Sequence, residues 1–181
     1  WVGLRRRSPY SGQMTSQIHQ HAHQHPRQHA PGHDHAACIV DALAKAEAHC
    51  AGTGAKLTPI RRRVLELIWQ SHKPAGAYDL LAQLGGAGQK VAPPTVYRAL
   101  DFLVEQGLVH RVESLNAFIG CTEPGHAVQQ EIFICKECGT ATEINDPELG
   151  QRIQQDARAL GFAVERQTIE VVGTCRECRK L

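Results

Sequence analysis

Two Cys-x-x-Cys pairs, Cys135/Cys138 and Cys175/Cys178, constrain this chain more than any other feature. Each pair sets two thiols one tight turn apart, the spacing at which thiolates share a tetrahedral metal ion. Gly139 follows the first pair, and a residue without a Cβ suits the bend of such a knuckle. Residues 139–174 separate the pairs, so a small folded unit has to bring the two halves of the site together. Four thiolates fill every position of a tetrahedral zinc, which makes such a site structural and not catalytic. On these residues alone, two disulfides or two separate redox pairs are the alternatives.

Composition favours the reduced reading. Seven cysteines in 181 residues are not disulfide-dense, and an odd number leaves one unpaired. No apolar leader precedes the periodic region, and the longest apolar runs are far too short to span a bilayer. A cytoplasmic protein with no membrane partner is the expectation. The formal net charge is only +2, with 13 Lys and Arg against 9 Asp and Glu up to residue 125, and 7 against 9 beyond it. The basic excess lies in the first part, but charge this modest does not establish nucleic-acid binding.

Three segments follow from the hydrophobic pattern. Residues 1–35 have none. Trp1 to Gln13 precede the only methionine, Met14, and are set aside from the fold. His19, His21, His23, His25, His29, His33 and His35 then follow at irregular spacing, in a stretch too polar to bury a core and expected to be disordered. Weak capture of zinc, copper or nickel is one reading of this tail, and a tolerated polar segment is the other.

Residues 36–123 read as helices followed by a hairpin. Ile39, Leu43, Ala46 and Cys50 form one helical stripe, ended by Gly52 and Gly54, with Cys50 a small buried hydrophobe and Cys38 off the stripe. Thr58 with Pro59 predicts a capped second helix carrying Val64, Leu67 and Ile68 inward. A third helix is predicted from about Ala77-Tyr78-Asp79 to Gly85-Gly86. Pro93-Pro94-Thr95 open a fourth, and Gly107 stops it. Val96, Ala99, Leu100, Leu103 and Val104 make its apolar face, while Thr95, Tyr97, Arg98 and Asp101 face away. Arg can fork onto guanine edges or phosphate, and Tyr can reach the backbone or a thymine methyl. Taken alone, this helix is equally an amphipathic helix with a solvated polar face. The predicted hairpin that follows, Leu108–Val112 returning as Ala117–Cys121 through Glu113-Ser114-Leu115-Asn116, supplies the wing of a winged helix-turn-helix.

Residues 129–181 change character. Glu131–Ile134 is a short strand entering Cys135, Thr140–Ile144 a return strand, Pro147 the start of a helix striped by Leu149, Ile153, Ala157 and Leu160, and Phe162–Thr174 a long strand entering Cys175. A β-β-α-β unit this small needs a staple, and metal-binding free energy becomes folding free energy. The fold class is therefore α+β: an N-terminal winged helix over 36–123, a hinge over 124–128, and a small C-terminal α/β dimerisation unit over 129–181 stapled by a four-Cys zinc site. The long strand offers an edge to a second subunit, so a homodimer is expected.

Leu57-Thr58-Pro59-Ile60-Arg61, the string Pro93 to Leu103 and the paired Cys-x-x-Cys together resemble the ferric uptake regulator family, over about residues 36–181. The resemblance implies a dimeric, metal-activated bacterial repressor of AT-rich inverted-repeat operators, with Tyr97 and Arg98 on the DNA and Thr95 and Arg61 beside them in the same motifs. It also implies a second, regulatory metal site between the domains, matched here by His110, Cys121, His126 and Glu143. His126 is the loosest match, nine residues before Cys135 where Gln129-Gln130-Glu131 replaces the usual histidine-rich string, and Glu131 is an alternative ligand. Read singly, His110 is equally a structural strand histidine and Cys121 a core thiol. Mixed His/Cys/Glu ligation with a soft thiolate suits zinc better than iron or manganese. About two zinc ions per chain, double-stranded DNA and a second copy of the chain are thus the expected partners, with repression of zinc import the expected role and no small-molecule substrate.

Other classes fit less well. A thiol oxidoreductase needs a βαβ setting for Cys135 and Cys138 and has no use for a second pair. A zinc hydrolase needs an open coordination position, and the chain has no His-Glu-x-x-His. A zinc buffer would rest on the histidine tail alone. A sibling sensor of iron, manganese, nickel or peroxide shares the fold. No enzyme activity is expected.

Overall fold

The computed structural model describes residues 35–71, 73–86, 91–125, 129–144 and 146–180. The tail histidines up to His33 and the expected ligand His126 lie outside the described residues. Among those described, no helix is long and apolar enough to cross a membrane.

Four helices build the first unit: α1 (His35–Thr53), α2 (Pro59–Trp69), α3 (Ala77–Gly85) and α4 (Pro93–Glu105). The stripe of α1 points inward through Leu43, Ala46 and Cys50. Thr58 occupies the N-cap of α2 with extended backbone, but its hydroxyl makes no capping bond. Pro59 at the first helical position and the Thr58 carbonyl, which accepts from Arg62 N at 2.9 Å, start the helix instead. Val64, Leu65 and Ile68 of α2 pack against Leu100 and Leu103 of α4, with Leu80 and Leu84 of α3 closing the core. Each such side chain contributes about 1.5–3 kcal/mol by burial.

At the end of α4, Leu108 N–H donates to Leu103 O at 2.8 Å and Gly107 N–H to Val104 O at 3.0 Å, a Schellman motif. Gly107 sits at φ +62°, which a residue without Cβ adopts freely. The motif turns the chain from α4 straight into the wing: β2 (Val109–Val112), a 3-10 turn at Glu113–Leu115, and β3 (Ala117–Gly120). Asn116 takes the left-handed position of the turn, and its side chain accepts from Arg111 Nη2 at 2.9 Å. A two-residue strand, β1 (Ala75–Gly76), adds to β3 with Ala75 opposite Phe118, so the wing sheet runs β1-β3-β2. Gly120 lies directly on the Trp69 indole, where any Cβ would collide with the ring.

The second unit contains β4 (Gln129–Cys135), β5 (Ala141–Ile144), α5 (Pro147–Ala159) and β6 (Gln167–Gly173). β4 is central, antiparallel to β5 and parallel to β6. Asp146 caps α5, accepting from Glu148 N at 3.0 Å and Leu149 N at 3.2 Å. The last strand is shorter than the run Phe162–Thr174 predicts. Phe162 N–H is taken by Ala157 O at 2.9 Å in the turn that ends α5, so residues 162–166 leave the helix before pairing begins at Gln167. The expected stripe of α5 is not buried: Leu149 and Leu160 are exposed, Leu160 at 75%, and Ile153 and Ala157 are half-buried. A small cluster of Val112 and Ile119 from the wing with Ile132, Ile134 and Ala141 from the second sheet joins the units.

Candidate metal centres and nucleic-acid interface

The four-thiol cluster follows from strand register. β4 and β6 run parallel with Cys135 opposite Gly173, so the second Cys pair emerges beside the first. Lys136 N–H donates to Gly173 O at 2.9 Å and Cys175 N–H to Cys135 Sγ at 3.3 Å, locking the two knuckles together. All four sulphurs lie within 4.8 Å of one another. Cys138 and Cys175 Sγ are 3.9 Å apart, far from the roughly 2.05 Å of a disulfide bond. Backbone N–H groups of Cys138 and then Cys175 hold the Cys135 thiol down at about 6. Hydrogen bonding to Thr140 lowers Cys138, whereas its sulphur neighbours, Cys175 first, push Cys178 up to about 12. Four sulphurs this close cannot all be thiolates without a cation among them. The donor set fits a tetrahedral zinc ion.

A second convergence lies where the wing meets the other sheet. His110 enters from β2, Cys121 follows β3 and is fixed by its N–H to Leu108 O at 3.0 Å, and Glu143 reaches across from β5. Their ligand atoms lie within 4.8 Å of one another. His110 is fully buried, and neither ring nitrogen has a hydrogen-bond partner. Nε2 nevertheless lies 2.5 Å from Glu143 Oε1, an approach with the distance but not the direction of a hydrogen bond. Cys121 Sγ is 3.9 Å from the same oxygen and donates to Glu123 O at 3.1 Å. Glu143 Oε2 accepts from Thr122 N at 3.3 Å. Burial, then the Glu143 carboxylate, raises the Cys121 thiol well above its ordinary value. Side chains aimed at a shared point, with the buried His110 ring unpartnered there, fit a cation held between them. Glu131, the alternative ligand, is buried elsewhere and accepts from Asp146 N at 3.0 Å.

On the outer face of α4, Thr95, Tyr97 and Arg98 are exposed, Tyr97 at 44%, while Val96, Ala99, Leu100 and Leu103 are buried. Arg61 is half-buried, its guanidinium 3.6 Å from the Phe102 ring centroid and donating through Nη1 to Lys56 O at 2.6 Å. Sequence reasoning missed Tyr78. This residue stands in the first turn of α3, is 76% exposed, and lies close enough to Tyr97 to help raise its phenol, after burial. The available signal was an aromatic in the first turn of the helix before α4.

Winged helix, thiol-stapled α/β unit and a ligand cluster between them define a metal-regulated winged-helix protein. The Ferric uptake regulator family model matches residues 52–172, and the chain belongs to that family. It is 42% identical over 139 residues to the Zinc uptake regulation protein of Escherichia coli K12, covering 75% of this chain and 80% of that one. It is 30% identical over 131 residues to the Peroxide operon regulator of Bacillus subtilis, covering 71% and 87%. Among solved structures it resembles a zinc uptake regulator complexed with zinc and DNA, at TM-score 0.73 and 39% identity over 78% of this chain and 95% of that one. The crystal structure of holo XcZur matches at TM-score 0.72 and 43% identity, covering 77% and 97%.

Proposed function

We propose that this chain is a zinc-responsive, dimeric transcriptional repressor of zinc-uptake genes and acts in the cytoplasm as a regulator, not an enzyme. The observation that carries the reading is the convergence of His110, Cys121 and Glu143 from three elements of two units. Cys135, Cys138, Cys175 and Cys178 hold a structural zinc, and the three hinge residues, with His126 as fourth, hold a regulatory one. The unit boundaries follow: winged helix over 36–123, hinge over 124–128, dimerisation unit over 129–181.

Zinc bound at the hinge would supply a positive charge shared by donors from both units. The chain's own residues account for the rest. Without a cation, Cys121 stays a neutral thiol and His110 stays buried with unsatisfied nitrogens, a cost that favours separation of wing and sheet. Joined, they fix the wing and, through Gly107 and Leu108, the recognition helix. Two recognition helices in a dimer then match successive major grooves. A coupling of about 1–3 kcal/mol between zinc and operator serves this purpose. The exposed apolar residues Leu160 and Phe162, which line one surface cleft with Ile153 and Ala157, support burial of this face against a second copy. Tyr97 and Arg98 read the DNA, Tyr78 and Thr95 flank them, and Arg61 keeps further N–H donors for phosphate.

The test is binding to an AT-rich inverted-repeat duplex while free zinc is titrated, with iron(II) and manganese(II) in parallel. Binding driven by zinc at far lower free metal than the other two supports the reading. Equal affinity at every zinc level refutes it.

A further inference from the structure

The wing is held at its tip as well as its base. Glu170 on the edge strand β6 reaches across to the 3-10 turn, its Oε1 accepting from Glu113 N at 2.5 Å and its Oε2 from Ser114 N at 3.1 Å. These are the first amides of the turn, which such a turn leaves without an internal acceptor. Arg166, just before β6, lies 3.7 Å from the Glu113 carboxylate and adds a weaker tie. Burial alone would raise the Glu170 carboxyl, but its hydrogen bonds to the Ser114 side chain and to the amides of Ser114 and Glu113 hold it below its ordinary value. Between tip and base, Val112 and Ile119 pack on Ile132 and Ile134.

We propose that Glu170 is a positioning residue that docks the wing tip on the dimerisation sheet and thereby sets the angle of the recognition helix. The inference rests on the regulatory reading above and adds a second fixed point to it. A single joint at His110, Cys121 and Glu143 leaves the winged helix free to rotate about that joint. A second joint at the far end of β2 leaves only rotation about the line through the two, which the packing of Val112 and Ile119 opposes. Because α4 runs into β2 through only three residues, orientation of the wing is orientation of Tyr97 and Arg98. The tie uses carboxylate and backbone amides, so it is independent of metal and acts in series with the hinge.

The experiment uses the full-length zinc-loaded protein as wild type, Glu170→Gln and Glu170→Ala. It measures amide hydrogen exchange at Glu113 and Ser114, zinc per chain, and affinity for the AT-rich inverted-repeat duplex. Loss of two charge-assisted hydrogen bonds in Glu170→Ala is expected to speed exchange at both amides and weaken DNA binding about tenfold, with zinc per chain unchanged. Glu170→Gln, near-isosteric and keeping one acceptor oxygen, is expected to fall between. Exchange unchanged in Glu170→Ala overturns the contact. Faster exchange with wild-type affinity in both variants overturns the positioning role. Wild-type protein that ignores zinc on the duplex instead refutes the regulatory reading, and the exchange data still report whether the contact exists.

Discussion

His110 Nε2 and Glu143 Oε1 meet at 2.5 Å across the junction of the two units, with the imidazole fully buried. Two elements that share no hydrogen-bond ladder thus place polar atoms side by side where water does not reach. Such a pair is costly unless something satisfies both partners. A cation held between them would tie the wing's position to the occupancy of one small site.

Removing the thiolate from that site uncouples it. Cys121→Ser is expected to lower operator affinity at saturating zinc toward that of the zinc-stripped protein, by about fivefold to 150-fold, the range of a 1–3 kcal/mol coupling. Zinc per chain falls by one, and sedimentation still shows a folded dimer. Full zinc-dependent binding by this variant would remove Cys121 from the site.

The four-thiol cluster behaves differently. Cys178→Ser, or exhaustive chelation, is expected to unfold the β4–β6 sheet, because the unit is too small to stand without its staple. Loss of amide protection across Gln129–Cys135 and Gln167–Gly173 checks it. Retained protection after the last zinc is gone contradicts a structural role.

On the DNA face, Arg98→Ala is expected to weaken operator binding by about 1–3 kcal/mol without changing zinc per chain. Tyr78→Phe, which deletes a hydroxyl near the Tyr97 phenol, is expected to cost less, about 0.5–1.5 kcal/mol. Equal losses for the two variants would put Tyr78 in direct contact and not in support.

Gly120→Ala tests the packing of the wing. A Cβ there meets the Trp69 indole, and overpacking of this kind costs about 1–3 kcal/mol. A thermal melt lowered by several degrees, with zinc content intact, is the expected result.

Much of this architecture could be read from residue order. Val96, Ala99, Leu100 and Leu103 form the buried face of α4 because their spacing leaves no other side for the core, and the two Cys pairs meet because a crossover helix returns β6 parallel to β4. The parts not read are those where local pattern is silent. A strand of only Ala75 and Gly76 has no periodicity to detect. Thr58 has the chemistry of a cap, but its hydroxyl makes no capping bond. Phe162 belongs to the turn ending α5 because its amide is already taken. Glu170 looks like any solvated strand carboxylate until the wing turn is brought against it, and Tyr78 like a helix-start residue until Tyr97 lies beside it. These features depend on contacts between distant segments.

The most direct test of the central claim is to count zinc per chain by native mass spectrometry while occupancy of an AT-rich inverted-repeat duplex is measured on the same samples. The account predicts negligible occupancy at one zinc per chain and saturation as the count rises to two. Full occupancy at one zinc per chain would leave the hinge residues without a regulatory role.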